Sequence, residues 1–134
     1  MPLIENDVIF AYMNSLDSNH ETAAKLMQKL GKGETVAEFS SVALVEMELF
    51  YKSQKMENRL VLDLATIAAL PGINVLPLTP NIAVAAAYLR ETHELSFFDS
   101  HYAATALAVD GIIVSFDAAY DRIPGLTRID PAEV

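Results

Sequence analysis

Leu3-Ile4-Glu5-Asn6-Asp7-Val8-Ile9 and Ile112-Ile113-Val114-Ser115-Phe116-Asp117 are short apolar runs that end on carboxylates. Each reads as a buried strand whose exit carries charge. Strands that are buried on both faces belong to parallel sheets and appear as continuous apolar runs rather than as alternating ones. Between these two stretches, β-like runs alternate with longer helical ones, the pattern of an α/β domain. The sequence predicts a three-layer α/β/α sandwich with a mostly parallel sheet of four to five strands, formed as one domain by residues 1–134.

Working outward, Leu3–Glu5 is the first strand and a helix follows from about Val8 to Asn14. A second helix, Asn19 to Leu30, is capped by Asp17 or Ser18 and stops at Gly31. Thr35–Phe39 is the second strand and leads into a helix over 41–52, with Ser40 or Ser41 as its cap. Another helix over 56–70 ends at Pro71-Gly72. Ile73–Pro77 is the third strand. Thr79-Pro80 pairs an N-cap with proline at the first helical position and opens a helix to about Thr92. Ser96 caps the next helix, which runs to about Val109 before Asp110-Gly111. Ile112–Ser115 is the fourth strand, Ala118–Arg122 a short helical turn, and Leu126–Ile129 a fifth, edge strand.

Composition narrows the function. The chain is 52% hydrophobic, which suggests a buried sheet or an apolar oligomer face, so a dimer is expected. Cysteine is absent, which removes disulfides, thiolate ligands and cysteine nucleophiles. No signal peptide or membrane-spanning run is visible, and the expected location is the cytoplasm. A formal net charge of −9 argues against a general basic surface for nucleic acid. It does not exclude a nuclease whose site is itself acidic. Substrate contact would then rest on a few cations, or on a second subunit or basic partner.

The acids carry the chemistry. Glu5, Asp7, Glu46, Asp99 and Asp117 all lie at the edge of, or inside, apolar runs. Desolvating a carboxylate is costly unless a cation or several donors compensate. Glu5 and Asp7 end the first strand and Asp117 follows the fourth, so these acids meet if the two strands are neighbours, since sites in open α/β sheets gather at the carboxyl ends of strands. Asp7 also has a plainer reading as an N-cap before Val8, and Asp117 as one before Ala118. Glu46 has Val42, Ala43, Leu49 and Phe50 as its helical neighbours, none able to pair with it. Glu48, by contrast, has Lys52 at i+4 and reads as a solvated ion pair. Asp99 sits among Leu95, Ser96, Tyr102 and Ala103, and its alternative role is to complement the helix dipole from the first turn. Oxygen ligands of this kind suit Mg2+ or Mn2+. Such an ion activates water and stabilises charge on a phosphoryl oxygen. Ser115, two residues before Asp117, is placed to hydrogen-bond a ligand carboxylate or a metal-bound water. The three histidines stand singly, the glycines form no phosphate cradle, and no serine has a nucleophile-elbow context. Lys25, Lys29 and Lys32 read as a solvated face.

In order and spacing, these motifs resemble the PIN-domain family, and within it the VapC-type toxin ribonucleases. That family's Asp-x-Asn after the first strand is matched by Glu5-Asn6-Asp7. An Asp-x-x-His-x-x-Ala stretch is matched by Asp17 to Ala23. The family's helical glutamate corresponds to Glu46 and its helical aspartate to Asp99 within Ser96–Ala106. A Thr-x-Asp-x-x-Phe strand end followed by Pro-Gly is matched by Ser115–Tyr120 and Pro124-Gly125. The departure is at the first strand, where glutamate replaces the leading aspartate and Asp7 replaces the asparagine. The resemblance implies a Mg2+- or Mn2+-dependent endoribonuclease that hydrolyses RNA, forms a homodimer and is inhibited by a cognate antitoxin. Asp7, Glu46, Asp99 and Asp117 would be catalytic and would hold the metal with Glu5, while Asn6 and Ser115 support them. Whether Glu5 or Asp7 is the first-strand ligand stays open. Two alternatives remain: a PIN-like binding module without activity, and a haloacid-dehalogenase-like phosphatase, which would need a lysine beside Asp99 or Asp117.

Overall fold

A computed structural model describes residues 1–134. Its centre is a parallel sheet of five strands: β1 (Leu3–Ile4), β2 (Ala37–Ser40), β3 (Ile73–Leu76), β4 (Ile112–Val114) and β5 (Thr127–Ile129), in the order β3-β2-β1-β4-β5. Leu3 faces Glu38 on one side and Ile113 on the other, so β1 is the middle strand. Six helices flank the sheet: α1 (Asn6–Met13), α2 (His20–Gly31), α3 (Ser41–Ser53), α4 (Glu57–Ala68), α5 (Pro80–His93) and α6 (Phe97–Ala108). Two 3-10 turns, Ala118–Arg122 and Pro131–Glu133, complete the chain. No helix is long and apolar enough to cross a membrane.

The topology positions the site. The chain steps from β1 to β2 to β3 in one direction, then crosses back to β4 and β5 on the far side of β1. Because parallel crossovers are right-handed, reversing direction sends the connecting helices to the opposite face. A crevice therefore opens between the carboxyl ends of β1 and β4, where ligands bind in folds of this type. The core beneath it is made by the strands' own apolar runs: Leu3, Phe39, Ile113 and Val114 are fully buried, together with Val8, Ile9, Met47 and Ala103 from the helices.

Predicted and observed elements differ mostly at their ends. β1 stops at Ile4 because α1 begins at Asn6, with Glu5 as an extended N-cap residue that makes no side-chain capping bond. Asp7 consequently lies inside the first turn and does not cap the helix, contrary to its plainer reading. Ser40 caps α3 and Thr79 caps α5, their side chains accepting from the N–H groups of Val42 and Ile82. α2 runs through Gly31, and the left-handed residue is Gly33, with φ of 70°. β3 is half exposed rather than buried, because as an edge strand it has a neighbour on one side only. At Gly72, before β3, a Cβ would meet the carbonyl oxygens of Thr35 and Leu30 at 2.6 and 2.7 Å, so only glycine lets these backbones approach. The expected Glu48–Lys52 ion pair does not form; the chain's ion pairs engage Glu21, Glu34, Asp63, Asp110 and Asp121.

Candidate active site

Glu5 lies at the floor of the crevice, 5% exposed. Its backbone N–H donates to the Val114 carbonyl at 3.0 Å, which locks the exit of β1 to the end of β4. Since the side chain caps nothing, its carboxylate is available to the crevice. Burial first, then the charges of Asp7, Asp99 and Glu46, push the Glu5 carboxyl well above the ordinary glutamate value of 4.5. Charges from three separate segments thus bear on Glu5 at the end of β1.

Glu46 reaches the crevice from α3. Asn6 Nδ2 donates to its Oε1 at 2.8 Å, and the Tyr102 hydroxyl, from α6, donates to the same oxygen at 2.7 Å. Asn6 also donates to the Ala43 carbonyl at 3.1 Å, tying α1 to α3. Burial and the neighbouring Glu46 raise the Tyr102 hydroxyl far above the ordinary tyrosine range, so it remains a donor. Asp99 enters from the first turn of α6, where its N–H donates to the capping Ser96 Oγ at 3.3 Å. The adjacent Ser100 faces away toward α5 and accepts from Arg90 Nη1 at 2.8 Å. No arginine or lysine neutralises Glu46 or Asp99.

Asp7 is held differently. Its Oδ2 accepts from the Ser115 hydroxyl at 2.8 Å and from the Phe116 N–H at 2.9 Å, while its Oδ1 is buried without a partner. Burial raises the Asp7 carboxyl, and the hydrogen bonds from Ser115 and Phe116 pull it back part of the way. Asp7 therefore fastens the β4 exit to α1. Ser115 is the hub of that fastening, accepting from the Asp117 N–H at 2.9 Å and standing 3.4 Å from Glu5 Oε2. Asp117 stays at the exposed rim, where its Oδ1 accepts from the Ala119 N–H at 2.8 Å in its capping role.

The fold thus brings the charges of Asp7, Glu46 and Asp99 to bear on Glu5, while Asp117 is exposed. The donor set suits a hard divalent cation: it is all oxygen, and burying Glu5 as an anion is unfavourable until positive charge arrives. As the side chains stand, no three acidic or histidine groups converge closely enough to share one ion, so the carboxylates would have to close in on it.

Other buried polar residues escaped sequence reading. Glu38, in the second strand, accepts from Asn74 Nδ2 at 2.7 Å across the β2–β3 register. Asp63 accepts from the Tyr51 hydroxyl and lies 3.9 Å from Arg59. The i,i+4 spacing of Arg59 and Asp63 was visible, whereas the tyrosine partner comes from a different helix. Tyr120, at the phenylalanine position of the matched motif, is fully buried. Arg128, on β5, donates from Nη1 to the Ser115 carbonyl at 3.0 Å and from Nε and Nη2 to Asp121 at 2.9 and 3.2 Å.

Residues 3–126 match the PIN domain family, and the chain belongs to it. Solved structures share the fold over nearly their whole length. VapBC2 from Rickettsia felis, bound to a promoter DNA fragment, aligns at 16% identity with a TM-score of 0.74 over 96% of both chains. Mycobacterium tuberculosis VapC20, described as a sarcin-ricin loop cleaving toxin, aligns at 20% identity with a TM-score of 0.72 over 88% of this chain and 91% of that one. A toxin–antitoxin complex from Klebsiella pneumoniae aligns at 19% identity with a TM-score of 0.68 over the full length of both. No curated protein sequence matches the chain.

Proposed function

We propose that this chain, acting as one domain over residues 1–134, is a divalent-metal-dependent endoribonuclease and the toxin of a type II toxin–antitoxin pair. The observation that carries the proposal is that the charges of Asp7, Asp99 and Glu46 all bear on the buried Glu5 at the topological switch point, with no basic side chain to offset them. Family membership and the toxin descriptions of similar structures support the same reading.

Glu5, Glu46 and Asp99 would hold Mg2+ or Mn2+, directly or through water. Asp7 would serve mainly by fixing the β4 exit, with Asp117 at the rim where substrate enters. When bound, such a cation lowers the pKa of a water and offsets charge on the scissile phosphate. The chain's own contribution is orientation. Asn6 and Tyr102 hold Glu46 Oε1 from two sides, and Ser115 and Phe116 hold Asp7. Partners would be an RNA substrate, a cognate antitoxin and a second copy of the chain, with the cytoplasm as the site of action.

The test is incubation of purified protein with structured RNAs in Mg2+ or Mn2+, with and without chelator. Cleavage that is lost with chelator and falls at least a hundredfold in Glu5→Gln, Glu46→Gln and Asp99→Asn is the expected result, given the usual cost of removing a group that stabilises developing charge, about 10²–10³ in rate. Cleavage that persists in Asp99→Asn would overturn the assignment. The spacing of the carboxylates favours one second reading, a PIN-like binding module without activity, for which RNA or protein binding would survive the same substitutions.

A further inference from the structure

Tyr120 is fully buried, and its hydroxyl has no hydrogen-bond partner. Its surroundings are anionic. After burial itself, the charges of Glu5, Asp99 and Asp7 are the main influences on it. Asp99 is near enough to act on the hydroxyl, but no hydrogen bond closes between them. Buried hydroxyls are almost always paired, and an unpaired one is unfavourable compared with a phenylalanine ring of the same shape. A neutral donor aimed into a group of carboxylates does have a use, because it orders oxygen acceptors without adding charge and without displacing a cation.

We propose that Tyr120 is a positioning residue of the acidic site, whose hydroxyl donates to a carboxylate or water oxygen around a divalent cation held by Glu5 and Asp99 and thereby tightens cation binding. The inference rests on the metal-site reading above and adds to it a residue from the 3-10 turn after β4. Tyr102 is already committed to Glu46, and Ser115 to Asp7, so Tyr120 is the hydroxyl left free for this role.

The experiment compares the parent protein with Tyr120→Phe by Mn2+ titration, followed by electron paramagnetic resonance, and by thermal unfolding with and without Mn2+. Metal-free Tyr120→Phe is expected to unfold at the parent's temperature or above, because the lost oxygen has no partner. Its Mn2+ affinity is expected to fall about tenfold or more, the usual effect of removing a hydrogen bond from a ligand shell, so the Mn2+-induced rise in unfolding temperature shrinks. Tyr51→Phe, which removes a hydroxyl bonded to Asp63 outside the crevice, serves as the control and should leave Mn2+ affinity unchanged. Equal Mn2+ affinity in parent and Tyr120→Phe overturns the proposal. So does a metal-free Tyr120→Phe that is less stable than the parent with undiminished Mn2+ response, which would mark the hydroxyl as a structural bond to Asp99. A parent that binds no Mn2+ overturns this proposal and the metal-site reading together.

Discussion

Glu5 and Asp7 show how two carboxylates two residues apart acquire different tasks. The backbone places Glu5 as the residue between β1 and α1, with its carboxylate facing buried like charge, while Asp7 turns toward the β4 exit and is met by two donors. Glu5 is therefore the group that resists ionisation. Its folded-state carboxyl titrates above the ordinary glutamate value of 4.5, so the folded protein binds that proton more tightly than the unfolded chain does. The stabilisation is present below the ordinary value and is lost as pH rises through the raised one. Metal-free protein is expected to lose thermal stability over that interval, and Glu5→Gln to flatten the slope, as read by unfolding temperature against pH. Mg2+ or Mn2+ would take the place of the proton, so their stabilising effect should grow as pH rises across the same interval. A slope unchanged in Glu5→Gln would place the titrating group elsewhere. At this scale the sequence showed that each acid lacked a partner nearby in the chain, but not which acid would be bonded and which left free, because Asp7's donors lie more than a hundred residues away.

Among elements, the loop after β4 bears most on the site, since it carries Ser115, Asp117 and Tyr120. Arg128 braces it from β5: one arm of the guanidinium holds the Ser115 carbonyl and the other two nitrogens clasp Asp121. A planar fork makes all three contacts at once, which a lysine cannot. Arg128→Lys is expected to speed amide hydrogen exchange over residues 115–121 and to lower RNA cleavage, while exchange at the Asn6–Glu46–Tyr102 contacts stays as in the parent. Unchanged exchange in the loop would remove Arg128 from this role. The elements themselves were legible because local signals agree with the fold: Ser40, Thr79 and Ser96 cap where their sequence context predicts, and Gly111, with φ of 74°, ends the α6 connection. Boundaries slipped where a tertiary contact intervened. α1 starts two residues before Val8, since Asn6 and Asp7 are held in helical geometry by α3 and by the β4 exit.

For the whole molecule, two features point outward. The surface is strongly acidic, with 18 acidic residues against 9 basic ones, and large apolar side chains are exposed on several helices, including Leu49 on α3, Val61 and Leu62 on α4, and Val84 and Tyr88 on α5. Apolar exposure of this extent on packed helices marks surfaces that other chains cover. Light scattering on the isolated protein is expected to give twice the chain mass at micromolar concentration. A monomer would assign all of these faces to a different partner. Under the proposed function, the excess of acids would weaken RNA binding, so that binding should depend on the few lysines and arginines or on a partner's.

The order of strand-like and helical runs, the carboxylates at strand exits and the caps were all properties of the sequence alone. They are local, and propensity and hydrophobic period express them directly. Tertiary structure decided which acids meet. Reversing the chain's direction at β1 brings β4 beside it, so the charges of Asp7, Glu46 and Asp99 reach Glu5 while Asp117, close to Ser115 in the chain, stays exposed and caps the following turn. Such meetings depend on contacts across many tens of residues, and no pattern of spacing within one segment encodes them.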